Sequence, residues 1–474
     1  MKKEDLYRAM NTIDDDLLEE AERIPAVRKA GHRSAWAGLT VLAAVLALAV
    51  IRPWRGMGST ADSAEAPMQA ECKDCDEAVY GEPESRAEAE GAYFSNIEEE
   101  CCLAMAGTDT FNENVLVLLA DDQENRLISP VNLYSALSML AEITDGQTRA
   151  EIMDALGVHD LAHLREINRK VYLENNVQRE GLESLTANSV WLSDERQYHE
   201  DTLADLTHEY QADVYRGSWD AQFNGMLQKW LNDHTGNLLE DSVSGIRLPE
   251  DTLLALASAV YYKASWMAEF RLSEEKEPFH APDEDEEVQY LRRTDEESTV
   301  YSTDRCSAVC LDLQEGGAVW IILPDEDETI TSLLQKEDVL ELVRTGGSEA
   351  VAERKTGDVH ISLPVFDVQC ELDLREQMPL LGMTTVLGKD ADFSPITDEY
   401  MMLSSAKHAA RFMVDEEGVS GAAYTIMVFD TAMAQPEEAR QLYFTADRPF
   451  LFLVTAEDGA LMFAGTVNHP GKQS

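Results

Sequence analysis

The chain has 474 residues and carries 90 acidic against 38 basic side chains, a formal charge of −52. That charge repels nucleic acid and anionic lipid headgroups and argues against both as partners, while the length allows one large domain or two to three small ones around a substantial core. Seven cysteines are too few for a disulfide scaffold at this length, and their odd number leaves at least one thiol unpaired within a monomer, the expected state.

Residues 1–33 are polar and mixed in charge, with a short amphipathic pattern over 6–24, and read as a cytoplasmic lead. The character then changes: an uncharged apolar run, SAWAGLTVLAAVLALAVI, opens at Ser34 and closes at Ile51. As a helix rising about 1.5 Å per residue it reaches roughly 27 Å, about the thickness of a bilayer's hydrocarbon core. Trp36 and Trp54 stand near its ends, where an interfacial belt places them, and Arg23, Arg28, Lys29 and Arg33 precede it. Three readings compete for residues 34–51: a single-span membrane anchor, a late signal peptide and a buried core helix. The long, carboxylate-bearing lead is a poor signal-peptide start, and lead and span together resemble the N-terminal segments of membrane-anchored bacterial proteins. The anchor is therefore the expectation, with the bulk of the chain outside the cell and secretion as the alternative.

Residues 52–109 are rich in Ala, Glu, Ser and Asp and read as a flexible acidic stalk, with a pair of surface helices as the alternative. Cys72 and Cys75 form a C-x-x-C and Cys101 adjoins Cys102, but no second pair or histidine cluster completes a zinc site, so no metal is expected. The globular part spans residues 110–474. Ser129 and Pro130 are a cap and a first-turn proline for a helix whose Leu133, Leu137, Leu140 and Ile143 share one face.

Residues 415–429, DEEGVSGAAYTIMVF, are the segment that most needs explaining. Three carboxylates (Asp415, Glu416, Glu417) are followed by an uncharged run from Gly418 to Phe429. Val419, Gly421, Ala423, Thr425, Met427 and Phe429 share one face at period two, and no proline interrupts the run, so it can lie as a central strand. Read alone, it is an ordinary core strand. The chain shows no G-x-S-x-G, no H-E-x-x-H, no phosphate-binding glycine loop and no dinucleotide fingerprint, so neither an enzyme nor a cofactor is expected.

The flanks give that segment a second reading. LSSAKHAARFMVDEEG (403–418) before it and YFTADRPFLFLVTAEDGALMFAGTVNHP (443–470) after it resemble the hinge and C-terminal blocks of serpins. So do NRLISPVNLYSALSMLAEITDGQTRAEI (125–152), KWLNDHTGNLL (229–239), LALASAVYYKASWMAEF (254–270), VHISLPVFDV (359–368) and LLGMTTVLGKDADFSPI (380–396), in family order over residues 111–470. The resemblance implies an α+β domain of three β-sheets and about nine helices with an exposed reactive-centre loop. It also implies inhibition of a serine, or alternatively a cysteine, protease by suicide: the loop is cut, the protease is acylated, and the loop inserts into the main sheet. Under it Glu416, Glu417, Gly418, Val419, Ser420, Gly421, Ala422 and Ala423 form the hinge. The family's interval puts the cut bond between Ala432 and Met433, whereas counting back from ADRPF puts it nearer Gln435 and Pro436. Small or unbranched Ala432, Met433 and Ala434 suit elastase-like or subtilisin-like targets. Ser129 and His408 match the family's sheet-opening network, while Asn132 and Ser258 stand where Ser and Asn are usual, so the network is expected in rebuilt form. Val419, Gly421 and Tyr424 also depart from the usual hinge residues. The alternative function is a non-inhibitory serpin-fold surface binding protein.

Overall fold

The computed structural model describes residues 41–53, as backbone, together with 108–336, 339–416 and 440–472. Three sheets and ten α-helices lie among these residues. The seven-stranded main sheet is built from β1 (Val41–Pro53), β2 (Val177–Arg179), β3 (Leu182–Ser193), β4 (Ala212–Gly217), β5 (Leu254–Ala264), β6 (Phe366–Asp373) and β7 (Met401–Val414). Their spatial order is β6, β7, β1, β5, β3, β2, with β4 parallel beside β3. A nine-stranded second sheet and a two-strand ribbon complete the β-structure.

Helix α1 (Pro130–Glu142) is buried on nearly every side and packs between β5 of the main sheet and Leu461–Val467 of the second. Its start is set locally: Pro130 has no N–H to leave unpaired, and the Ser129 hydroxyl accepts the Asn132 N–H at 3.3 Å. The two sheets meet through aromatic rings, with Phe412 of β7 stacked on Phe452 at 4.8 Å and Phe463 5.5 Å from Phe412. Helix α2 (Ala221–His234) covers the other face of the main sheet. There Trp191, Phe223, Leu227 and Trp230 bury against Ala255, Ala257, Ala259 and Ala409. The alanines keep that face of β5 and β7 flat and let the indoles approach.

The membrane helix expected over residues 34–51 is not what the described part of that run forms. Val41–Pro53 is β1, a strand in the middle of the main sheet, antiparallel to β7 on one side and β5 on the other. Residues 34–40 lie outside the described residues. A long uncharged run satisfies a central strand with both faces covered as well as it satisfies a helix in lipid, and Val41, Val45, Val50 and Ile51 favour the strand. No helix among the described residues is long and apolar enough to cross a membrane.

The aromatic contact between the sheets is testable. Phe412→Ala removes a ring with no exposed surface from the Phe366, Phe452 and Phe463 cluster. We expect a loss of about 3–5 kcal/mol in urea unfolding, with the slope of free energy against denaturant unchanged.

Candidate functional site: the loop stems and the sheet opening

The proposed loop is tied down at both ends. On the leading side β7 ends at Val414, and the carbonyl of Asp415 accepts the indole N–H of Trp266 at 3.0 Å. Trp266 is buried and packs edge-to-face on Phe270, 5.4 Å between centroids, so the tether has a rigid base. On the trailing side the Arg440 carbonyl accepts the Asp358 N–H at 2.9 Å. Gln441–Thr445 then runs as a parallel strand beside Glu353–Pro364, with Tyr443 stacked on His360 at 4.8 Å. Gly357 makes this approach possible, because a Cβ there would come within 2.1 Å of the Arg440 carbonyl oxygen. Of the hinge residues, Glu416 is described; Glu417, Gly418, Val419, Ser420, Gly421, Ala422 and Ala423, and the bond between Ala432 and Met433, lie outside the described residues.

Ser129, Asn132, Ser258 and His408 are buried and stand at one level of the main sheet. They do not form a single chain of hydrogen bonds. Ser258 is on β5 and His408 on β7, and β1 runs between them, with Ala47 opposite both. Each instead bonds to the start of α1. His408 Nε2 accepts the Ser129 N–H at 3.2 Å, and Asn132 Nδ2 donates to Ser258 Oγ at 2.9 Å. The exchange of Ser and Asn types thus leaves a helix-to-strand bond in place, with the amide on the helix. A related bridge lies one turn on, where the Ser135 hydroxyl donates to Asn188 Oδ1 at 3.1 Å and Asn188 Nδ2 donates to the Tyr210 carbonyl at 2.8 Å.

The patch is under-bonded. With Nε2 accepting, the neutral imidazole carries its proton on Nδ1, and neither His408 Nδ1 nor Asn132 Oδ1 has a hydrogen-bond partner among the described residues. Each such buried group costs about 1–3 kcal/mol. Burial also pushes His408 down to about 3, so the ring is neutral at physiological pH. Sequence reasoning missed the Trp266 tether and the Asn188 bridge. The tether ends on the Asp415 carbonyl and the bridge continues to the Tyr210 carbonyl, and no residue pattern marks a main-chain acceptor.

Comparison with known proteins agrees with this geometry. Residues 107–470 match the family model described as "Serpin (serine protease inhibitor)". Human neuroserpin is 28% identical over 367 residues, covering 74% of this chain and 87% of neuroserpin. Among solved structures, the thermophilic serpin tengpin in its native state superposes with a TM-score of 0.64 at 22% identity, covering 79% of this chain and 95% of tengpin. Thyroxine-binding globulin in complex with thyroxine superposes with a TM-score of 0.59 at 20% identity, covering 78% and 99%. At such identities the structural likenesses speak for the fold.

The neutral imidazole gives a pH signature. Above about pH 6.5 both folded and unfolded His408 are uncharged, and the site adds no pH dependence. Below that, the unfolded chain binds a proton that the folded chain refuses until about pH 3, so stability falls as pH falls through this window. The slope from this group approaches about 1.4 kcal/mol per pH unit. Urea unfolding of wild type and His408→Gln between pH 7 and pH 5 should show the wild type losing about 1–2 kcal/mol more than the variant. Parallel curves would contradict a buried neutral imidazole.

Proposed function

The chain belongs to the serpin family, and from that premise we propose that it inhibits a protease by sacrificing residues 416–439 as bait. The family is described as one of serine protease inhibitors rather than enzymes, and the uncharged run 418–429 is the part that would enter the main sheet after cleavage. One observation carries the reading: the main sheet admits an additional strand between β5 and β7, antiparallel to both. A chain that leaves β7 at Val414 and turns back beside it takes that same direction.

The chemistry of the loop supports the rest. Gly418, Ser420, Gly421, Ala422 and Ala423 are small, so a strand can enter without forcing the sheet apart at its first residues. Each residue inserted gains ladder bonds and apolar burial. About a dozen residues at roughly 3.3 Å each carry an attached protease some 40 Å along the sheet. We place the cut between Ala432 and Met433. Residues there without charge or branching at Cβ suit a shallow apolar pocket of the elastase or subtilisin type.

A second reading, a serpin-fold protein that binds without trapping, is favoured by one specific observation: β1 already stands where the loop would go.

The full chain incubated with pancreatic elastase or subtilisin is expected to yield two products on a denaturing gel: cleaved chain, and a boiling-resistant band at the summed mass. Ala423→Arg puts a charge on the face of the inserted strand that must be buried, at a cost of several kcal/mol. It should cut the summed-mass band at least tenfold and leave the cleavage rate unchanged. Sequencing the released peptide fixes the bond. Cleavage with no covalent band from any preparation of the chain would leave the binding reading.

A further inference from the structure

The segment in the centre of the main sheet comes from the far N-terminus of the same chain. Leu42 through Val50 pair without interruption to Met413 through Ser405 of β7, and after a register shift Ile51 to Pro53 pair with Leu403 to Met401. On the other edge Val41 to Ile51 pair with Ala264 to Leu254 of β5. The ladder to β5 ends at Ile51, just before the first charge at Arg52, while the ladder to β7 continues to Pro53, which has no N–H to donate.

At several register positions of the two ladders a small residue stands opposite a large one. Ala43 stands opposite Tyr262 and Phe412, Ala44 opposite Tyr261 and Arg411, and Ala47 opposite Ser258 and His408. In the reverse sense, Leu46 stands opposite Ala259 and Ala409, and Leu48 opposite Ala257. A one-residue slip would turn every side chain of the run to the opposite face of the sheet.

The strand also begins in the place the bait loop needs. Leu42 pairs with Met413, next to the last residue of β7, and β1 then runs antiparallel to β7. A loop folding back from Val414 would start at that point, run in that direction and use those same two edges. One slot cannot hold both strands.

We propose that Val41–Pro53 is an in-cis plug of the main sheet. While it occupies the slot, residues 419–429 have no edge to join, and a protease that cuts the loop is released with the chain merely cleaved. When it withdraws, the slot opens and trapping becomes possible. The occupancy stands on the β1 ladders alone, whereas the competition rests on the loop-insertion reading above.

The test uses the full chain carrying Ala49→Cys and Ala406→Cys. These positions are direct partners across β1 and β7, at a separation typical of paired strands and within disulfide reach. Mild oxidation should join the two segments, seen as a linked peptide by mass mapping and absent from each single-cysteine control. Adding Ala47→Pro, which removes a ladder donor in mid-strand, should reduce that linkage at least tenfold. No linkage above the controls overturns the plug.

Elastase is then added to the same protein, oxidised and reduced, which needs no further variant to fold. Oxidation locks the plug in and should lower the summed-mass band at least tenfold relative to the reduced form, with cleavage unchanged. Equal bands in both forms would overturn the competition and leave the inhibitor reading intact. If linkage forms and neither form traps elastase or subtilisin, and the Ala47→Pro protein with its plug loosened traps neither as well, the inhibitor reading fails and takes the competition with it, while the occupancy stands.

Discussion

Two strands in the middle of the main sheet, β5 and β7, each present an edge that must be paired, and this single requirement governs the molecule. Backbone N–H and C=O groups in a sheet interior are not left without partners. In the structure β1 satisfies both edges at once, over eleven residues of β5 and along nearly the whole of β7. Any other strand that enters does so by displacing a complete double ladder, and each ladder bond is made or lost along with its neighbours. Exchange in this slot is therefore between one strand and another, and it is cooperative.

The start of α1 sits beneath the slot and is bonded to both strands that flank it. Ser129 and Asn132 reach separately to His408 and Ser258, on the two strands that flank the opening. Both bonds are compatible with β5 and β7 held one strand apart. The groups left over, His408 Nδ1 and Asn132 Oδ1, are of opposite kind, one a donor and the other an acceptor. A sheet whose strands shift at this level changes what these two atoms can meet. In register, Ala47 of β1 stands opposite both His408 and Ser258.

Much of this was legible from residue types. Ser129 and Pro130 announce the start of α1 because a cap and a missing N–H act within one turn. The block from Leu403 to Val414 is legible as the expected stem of the loop through its resemblance to the serpin hinge block, not from its residue types alone. The fate of residues 41–53 was not legible. Hydrophobic periodicity separates helix from strand only when one face is polar, and a strand covered on both faces shows no alternation. Leu and Ala in that run suit a helix, and its length suits a bilayer, so the sequence pointed away from the sheet. What decides for the strand is tertiary: two unpaired edges whose alanines and large residues complement the run, and neither edge is visible from within residues 34–51. The Trp266 tether escaped for a similar reason, since its acceptor is a main-chain oxygen at Asp415.

Charge placement sets how much chain can enter the slot. A carboxylate or guanidinium in the centre of a covered sheet would lose its hydration without a partner, and that cost exceeds what one more ladder bond returns. In a chain with 90 acidic residues, uncharged runs of strand length are a marked feature. Among them, one runs from Ser34 to Ile51 and is followed by Arg52, and another runs from Gly418 to Phe429, between Glu417 and Asp430. The part of the first that pairs with β5, Val41 to Ile51, is almost as long as the whole of the second. Under the loop-insertion proposal, the two segments would be uncharged over similar lengths, and Asp430 would be the first charge a cleaved loop brought to the slot.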